Sequence, residues 1–200
     1  MFWDDVAGVY DIFANIINRK THRGLCTKVE NEISKTDEVL ECACGTGLLS
    51  GVIAKKCKSL IATDFSVKML KKARKKHCAY TNIEFRGGNI LQIEYPAEKF
   101  DVVVAANVIH LLDEPYKALA ELDRVCRIGG KIIIPTYMNK NEKGKTRGFA
   151  NTVGKAGADF KRQFTYDAYM EFIKEAGYEN VEYSLIEGKI PCAVAVITKQ

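Results

Sequence analysis

Residues 38–51 read Glu38-Val-Leu-Glu-Cys-Ala-Cys-Gly-Thr-Gly-Leu-Leu-Ser-Gly51, and this stretch decides the fold. Its first residues are apolar and suit a strand that is covered on both faces. Gly45 and Gly47 permit a tight turn and leave bare backbone that a ligand could approach. Leu48, Leu49, Val52 and Ile53 then repeat at helical spacing. The stretch predicts a strand over 38–44, a glycine turn and a helix over 48–57, which form the first half of a nucleotide-binding βαβ unit.

The glycine turn is open to three interpretations. In the first, its glycines serve packing alone. In the second, the turn binds a dinucleotide, but Gly51 stands in the wrong place for the third glycine of a G-x-G-x-x-G pattern. In the third, Glu41 at the mouth of the loop disfavours a pyrophosphate and favours a ligand that carries an ammonium and a sulfonium. S-adenosylmethionine carries both of these charges.

The run Val-Leu-Glu-Cys-Ala-Cys-Gly-Thr-Gly resembles motif I of the class I S-adenosylmethionine-dependent methyltransferases, and the motif order agrees over about 36–137. One departure is Ala43, where the family usually has glycine. Alanine is tolerable there if its φ is negative. The resemblance implies a Rossmann-like three-layer α/β sandwich. Its sheet would have seven mostly parallel strands in the order 3-2-1-4-5-7-6, with strand 7 antiparallel.

Asp64 ends the second predicted strand, 59–64, where a carboxylate can accept hydrogen bonds from both ribose hydroxyls. Asp64 or Ser66 could instead cap the helix that begins near residue 67. We expect Ser66 to cap this helix and Asp64 to bind the ribose. The run Asp64-Phe-Ser-Val-Lys-Met-Leu70 also resembles the second motif of the family.

Other cofactor contacts are implied by the resemblance. Asn89 would face the adenine amino group, unless it only forms an ordinary turn, and the N–H of Ile90 would serve a ring nitrogen. Ala106 and Asn107 would lie along the methionine moiety, with Tyr10 near the same end. The full predicted set is Tyr10, Glu41, Ala43, Cys44, Gly45, Thr46, Gly47, Asp64, Phe65, Met69, Asn89, Ile90, Ala106 and Asn107.

The expected chemistry is an in-line displacement at the sulfonium methyl, which asks the protein mainly to position two reactants and exclude water. A general base is needed only if the acceptor is a poor nucleophile. His110 follows the fourth predicted strand and Tyr137 ends the fifth, and both are candidates, although His110 could be structural. We predict no metal site, because the chain has no C-x-x-C pair and Cys42-x-Cys44 is a poor spacing for one.

The chain is predicted to form one domain, 1–200. Its parts would be an N-terminal helical cap (1–35, with a helix over about 24–34), a cofactor-binding core (36–137), a lid insertion (138–164, with a short helix near 149–157), and a last helix and hairpin (165–200). Gly129 and Gly130 are expected to end a helix over 115–127 as a C-cap. Pro135 is expected to leave the end of the fifth strand unpaired.

The 30 basic and 25 acidic residues give a net charge of +5, which is too weak to indicate nucleic acid. The lysine-rich helix over 67–78 lacks interleaved aromatic residues and is interpreted as a solvated outer face. The seven cysteines are odd in number and form no C-x-x-C pair, which favours reduced thiols in a cytoplasmic protein. No signal peptide or membrane span is visible.

The leading hypothesis is a methyltransferase that uses S-adenosylmethionine and a small-molecule acceptor, because the chain lacks a recognition domain and a focused basic surface. A nucleic-acid methyltransferase is the first alternative. A non-catalytic protein that binds S-adenosylmethionine is the second, supported by Ala43 and Asn89. A nicotinamide-dependent oxidoreductase is the third, and Glu41 and the glycine spacing argue against it. The oligomeric state is not predicted.

Overall fold

The computed structural model describes residues 18–146 and 160–200. Helices α1 to α5 span Arg19–Asn31, Ser50–Ala54, Val67–Lys76, Pro115–Val125 and Tyr166–Glu175, and a short 3-10 helix spans Ile109–Leu111. Strands β1 to β7 span Glu38–Cys42, Ser59–Asp64, Ile83–Gly87, Phe100–Ala105, Cys126–Tyr137, Val181–Ile186 and Cys192–Thr198. Tyr10, the predicted helix near 149–157 and the central part of the predicted lid lie outside the described residues.

The seven strands form one sheet in the order β3-β2-β1-β4-β5-β7-β6, as predicted. Strands β1 to β5 pair in parallel, while β7 runs antiparallel to both β5 and β6. The chain order reverses its direction between β1 and β4. In an open α/β sheet this switch point, at the carboxyl ends of the strands, is where ligands bind.

Two hydrophobic cores cover the two faces of the sheet, which gives the predicted three layers. One core joins α4, α5 and the 3-10 helix to the sheet, and the other joins α1 and α2 to it. Cys42 lies in the first core and Cys44 in the second, although an i, i+2 pair within a strand would share one face; Cys44 lies beyond the end of β1. All seven cysteines are free thiols. No helix within 18–146 or 160–200 is long and apolar enough to cross a membrane.

Residues 126–130 correct the prediction of a glycine C-cap. Helix α4 ends at Val125, and its C-cap Cys126 is already extended and begins β5. The pairing of β4 with β5 is irregular here, and Gly129 has a φ of 71°. A Cβ on Gly130 would lie 2.7 Å from the carbonyl oxygen of Asp101. These glycines therefore serve an irregular strand and a close backbone approach, not a helix end.

Two further predictions shift in detail. Helix α1 begins at Arg19 and not near residue 24. The prediction that the end of β5 is unpaired is wrong on the side of β7, where Pro135 pairs with Val194 and the ladder continues to Tyr137. On the other side, the ladder with β4 ends at Ile133. The missing N–H of proline is therefore tolerated inside the sheet, next to the point where β4 diverges.

Candidate active site

A cavity of about 310 Å³ lies at the carboxyl ends of β1, β2 and β4, at the switch point of the sheet. The residues that line it come from the glycine loop, the ends of β2 and β4, the segment after β3, and α1. Twelve of the predicted site residues are among them: Glu41, Ala43, Cys44, Gly45, Asp64, Phe65, Met69, Asn89, Ile90, Ala106, Asn107 and Tyr137. Thr46, Gly47 and His110 are not part of this wall.

The glycine loop is built from left-handed backbone. Gly45 and Gly47 have φ values of 56° and 76°, and Ala43 has a φ of 53°. The condition stated for Ala43, a negative φ, is therefore not met. A left-handed alanine costs about 1–2 kcal/mol relative to its preferred region, because Cβ crowds the backbone. The loop keeps a strained alanine at the position where the family usually has glycine.

Glu41 lies beneath the loop and not at its mouth. Its side chain is buried and lines the cavity floor, where Ser50 of α2 donates a 2.5 Å hydrogen bond from Oγ to Oε2. Burial raises the pKa of Glu41 to about 8, the bond from Ser50 lowers it, and the neighbouring charge of Asp64 raises it further. The raised pKa favours the protonated form of Glu41 at neutral pH, and a nearby positive charge would favour its ionised form.

Asp64 connects the end of β2 to the glycine loop. Its Oδ2 accepts a 2.8 Å hydrogen bond from the backbone N–H of Gly45, and its Oδ1 accepts one of 2.8 Å from the N–H of Ser66. Ser66 in turn caps α3 as predicted, since its Oγ accepts from the N–H of Met69. A carboxylate offers about four acceptor positions, so these two bonds are compatible with further bonds to a ligand.

The segment after β3 uses Asn89 in a turn. The side-chain oxygen of Asn89 that was predicted to face the adenine, Oδ1, accepts a 2.9 Å hydrogen bond from the N–H of Leu91. Asn89 and Ile90 nevertheless line the cavity. Phe65 lines it from the other side and is 66% exposed, an unusual exposure for a side chain of this size.

Asn107 follows β4 in a strained conformation. Its φ is 55°, and its backbone N–H donates a 2.7 Å hydrogen bond to the carbonyl of Pro135. Its Oδ1 is buried and accepts no hydrogen bond from the described residues. Strained backbone and a buried acceptor without a partner in the described chain are both typical of ligand-binding sites, and Asn107 combines the two at the cavity wall.

His110 and Tyr137 occupy different environments. His110 is buried in the 3-10 helix and stacks on Phe160, with ring centroids 5.6 Å apart. Burial lowers the pKa of His110 to about 4, which makes it a weak base. Tyr137, at the end of β5, is also buried but lines the cavity.

The prediction missed His22 and Leu25, which bring α1 to the cavity wall. Helix α1 is tied to the β6–β7 connection: the side chain of Asn18 accepts a hydrogen bond from the N–H of Ile190 and donates one to its carbonyl, and Thr21 also donates to that carbonyl. The apolar stripe of α1 could have been extended one turn back from Leu25 to the buried Thr21, which would have included His22 in the helix.

The residues present fit S-adenosylmethionine. A Cβ on Gly45 would meet no atom of residues 18–146 and 160–200 within 4 Å, so these residues leave the space beside this backbone open for a ligand. Two carboxyl groups, Glu41 and Asp64, line the same cavity, which suits a ligand with two positive charges. The buried Oδ1 of Asn107 adds an acceptor that lacks a partner within the described chain.

Comparisons with known proteins agree with this fit. Residues 40–134 match the family model of a methyltransferase domain. A demethylmenaquinone methyltransferase of Renibacterium salmoninarum is 30% identical over 137 residues, which are 68% of this chain and 56% of that protein. A phosphatidylethanolamine N-methyltransferase of Cereibacter sphaeroides is 27% identical over 84% of this chain and 85% of its own.

The fold has close counterparts among solved structures. A methyltransferase of Thermotoga maritima superposes with a TM-score of 0.76 over 99% of both chains, at 18% identity. The glycine loop after β1 and the acidic residue that ends β2 both lie within residues 40–134, the segment that matches the family model. The sheet that carries them has the strand order β3-β2-β1-β4-β5-β7-β6. Residues 40–134 therefore carry a methyltransferase domain, and the strand order of the sheet is that of the class I S-adenosylmethionine-dependent methyltransferases.

Proposed function

We propose that this protein transfers a methyl group from S-adenosylmethionine to a small-molecule acceptor. The observation that carries the proposal is the convergence of Glu41, Asp64 and the open backbone at Gly45 on one cavity. When bound, the cofactor supplies an electrophilic methyl group on a sulfonium that leaves readily. The protein then has to hold the cofactor, aim the acceptor and exclude water.

Each side chain has a role that follows from its place. Asp64 would accept from the ribose hydroxyls while it keeps the loop in position through Gly45. Glu41 would complement the positive charge of the methionine end, and a nearby cation would favour its ionised form. The Oδ1 of Asn107 would accept from the ammonium group. Asn89 and Ile90 would contact the adenine, as the resemblance implies, and Phe65 and Met69 would belong to the same cofactor site.

The acceptor end of the cavity combines apolar walls with two titratable side chains. Leu25, Leu111 and Leu112 supply apolar surface, and His22 and Tyr137 supply polar groups. Because His110 is buried, weakly basic and off the cavity wall, His22 is the better placed general base if the acceptor needs one. An acceptor with an apolar body and one ionisable oxygen, nitrogen or carbon complements this wall.

The experiment has two stages. In a thermal-shift assay, S-adenosylmethionine and S-adenosylhomocysteine should raise the melting temperature, and NAD should not, because only a ligand of the folded state stabilises it. Formation of S-adenosylhomocysteine should then be measured with a demethylated quinol and with phosphatidylethanolamine, the acceptor classes named for the two relatives. Stabilisation by NAD alone would contradict the assignment.

Two other functions stay as alternatives. The strained Ala43 favours a protein that binds the cofactor without transferring its methyl group, and it predicts cofactor binding with no turnover on any acceptor. The basic face of α3 favours a nucleic-acid substrate, whose binding would weaken steeply with salt. We expect neither, and we expect a cytoplasmic location from the free cysteines.

A further inference from the structure

His77 contacts the glycine loop from outside the cavity. It is the C-cap residue of α3, and its ring Nε2 lies 2.7 Å from the carbonyl oxygen of Gly47, thirty positions earlier in the chain. A carbonyl can only accept, so Nε2 carries the proton and donates. His77 is not among the described residues that line the cavity, so it acts on the loop from behind.

The ring of His77 also explains two glycines. A Cβ on Gly47 would lie 2.8 Å from Cδ2 of His77, and a Cβ on Gly51 would lie 2.7 Å from its Cε1. Gly51 does not fit the spacing of the dinucleotide pattern. Glycine is needed at this position because the imidazole ring of His77 fills the space that a side chain on residue 51 would occupy.

The ring is held in place from its other side. It stacks on Phe85 of β3, with centroids 6.1 Å apart and an interplanar angle of 23°, and it approaches Tyr80 at 5.8 Å. The C-terminus of α3 and the edge strand β3 thus form a rigid support behind the loop. Through its hydrogen bond to the carbonyl of Gly47, His77 connects these two elements to one peptide group of the loop.

The Gly47–Leu48 peptide is trans, so its C=O and N–H point in opposite directions. Fixing the carbonyl toward His77 turns the N–H of Leu48 away from it, and Leu48 lines the cavity. We propose that His77 is a positioning residue that sets the orientation of this peptide for the cofactor. The proposal rests on the proposed function, since the cofactor is the ligand whose binding it controls.

The test compares His77→Phe with His77→Gln. Phenylalanine keeps the stacked ring and removes the donor, while glutamine restores an N–H donor at a similar distance. Titration calorimetry with S-adenosylhomocysteine should give a dissociation constant about threefold to tenfold larger for His77→Phe than for the native protein, the change expected for the loss of one hydrogen bond. His77→Gln should recover part of the lost affinity. Both melting temperatures should be recorded without ligand.

A second comparison removes dependence on one variant. Gly51→Ala should weaken binding in the native background, because its methyl group displaces the ring. In a His77→Ala background the same change should have little further effect, since the space is then open. This loss of additivity is the signature of a shared contact.

Outcomes separate the two proposals. If the native protein binds neither S-adenosylmethionine nor S-adenosylhomocysteine, the proposed function fails and the role of His77 falls with it. If the native protein binds and His77→Phe binds equally well, only the role of His77 is overturned. Equal weakening by phenylalanine and glutamine, or additive effects of Gly51→Ala and His77→Ala, would reduce His77 to a packing residue.

Discussion

Ser50 donates a hydrogen bond of 2.5 Å to the buried carboxyl group of Glu41, directly beneath the loop that carries Gly45. This pair joins the first turn of α2 to the end of β1. A single neutral donor does not compensate a buried carboxylate, and the pKa of Glu41 therefore rises to about 8. Glu41 is thus a group whose protonation changes both with pH and with the charge of the ligand.

The first prediction is that stability without ligand falls as pH rises. The pKa of Glu41 is higher in the folded than in the unfolded state, so the unfolded chain binds fewer protons between these values. The free energy of unfolding should fall from about pH 4.5 to about pH 8, by at most about 1.4 kcal/mol per pH unit from this group. Glu41→Gln, measured by urea unfolding across that range, should remove this part of the slope. An unchanged slope in the variant would show that Glu41 is ionised in the folded protein.

The second prediction concerns Asp64→Ala. The variant should bind S-adenosylhomocysteine about 1–3 kcal/mol more weakly by calorimetry, the usual cost of losing hydrogen bonds to a charged group. It should also lose stability, because the N–H groups of Gly45 and Ser66 lose their acceptor. Thr165→Ala is the matched control: it removes the cap of α5 and should cost about 1 kcal/mol of stability with no change in affinity. Equal affinity in Asp64→Ala and the native protein would confine Asp64 to the loop.

The third prediction concerns Ala43→Gly. Glycine relieves the left-handed strain, which is worth about 1–2 kcal/mol. It also stabilises the unfolded chain by about 0.4–1 kcal/mol, because glycine raises the conformational entropy of that chain. The net effect on the free energy of unfolding should be a stabilisation of between about 0 and about 1.6 kcal/mol, with no loss of cofactor affinity. Glu98→Gly, at an exposed residue with a φ of 56°, is the control for the backbone effect. Destabilisation by the first change and not by the second would mean that the methyl group of Ala43 packs usefully.

The fourth prediction separates backbone strain from ligand contact. Gly45 and Gly177 both have a positive φ, and a Cβ at either would meet no atom of the described part of the chain within 4 Å. Alanine at either position should therefore cost similar stability, about 1–2 kcal/mol. Only Gly45→Ala should also weaken binding of S-adenosylhomocysteine in calorimetry, and Gly45→Val should abolish it. If both alanine variants bind normally, the open space beside Gly45 does not face the cofactor.

Local signals in the sequence were sufficient for much of the fold. The bounds of β2, the cap Ser66, and the hairpin of β6 and β7 all follow from patterns a few residues long. The family resemblance supplied the sheet order. Gly129 and Gly130 were misinterpreted because a glycine pair after a helix has the same appearance whether it ends the helix or permits an irregular strand.

The parts of the site that could not be predicted depend on distant contacts. The bond from His77 to Gly47 and the bonds from Asn18 to Ile190 join residues that no short pattern relates. The burial of Glu41 is set by how α2 packs over β1, which the sequence does not reveal. The roles assigned to the predicted cofactor residues stay predictions, although the structure brings most of them to one cavity.

The attachment of α1 to Ile190 has a consequence for the order of events during synthesis on the ribosome. Strands β1 to β5 and their helices can pair as they emerge, since each neighbour in that part of the sheet precedes β6 in the chain. Strand β7 comes after β6 in the chain and lies between β5 and β6 in the sheet, and Ile190 lies in the connection between β6 and β7. The bonds from Asn18 to Ile190 therefore cannot form until residue 190 has been translated, although His22 and Leu25, on the helix that these bonds attach, are translated long before it.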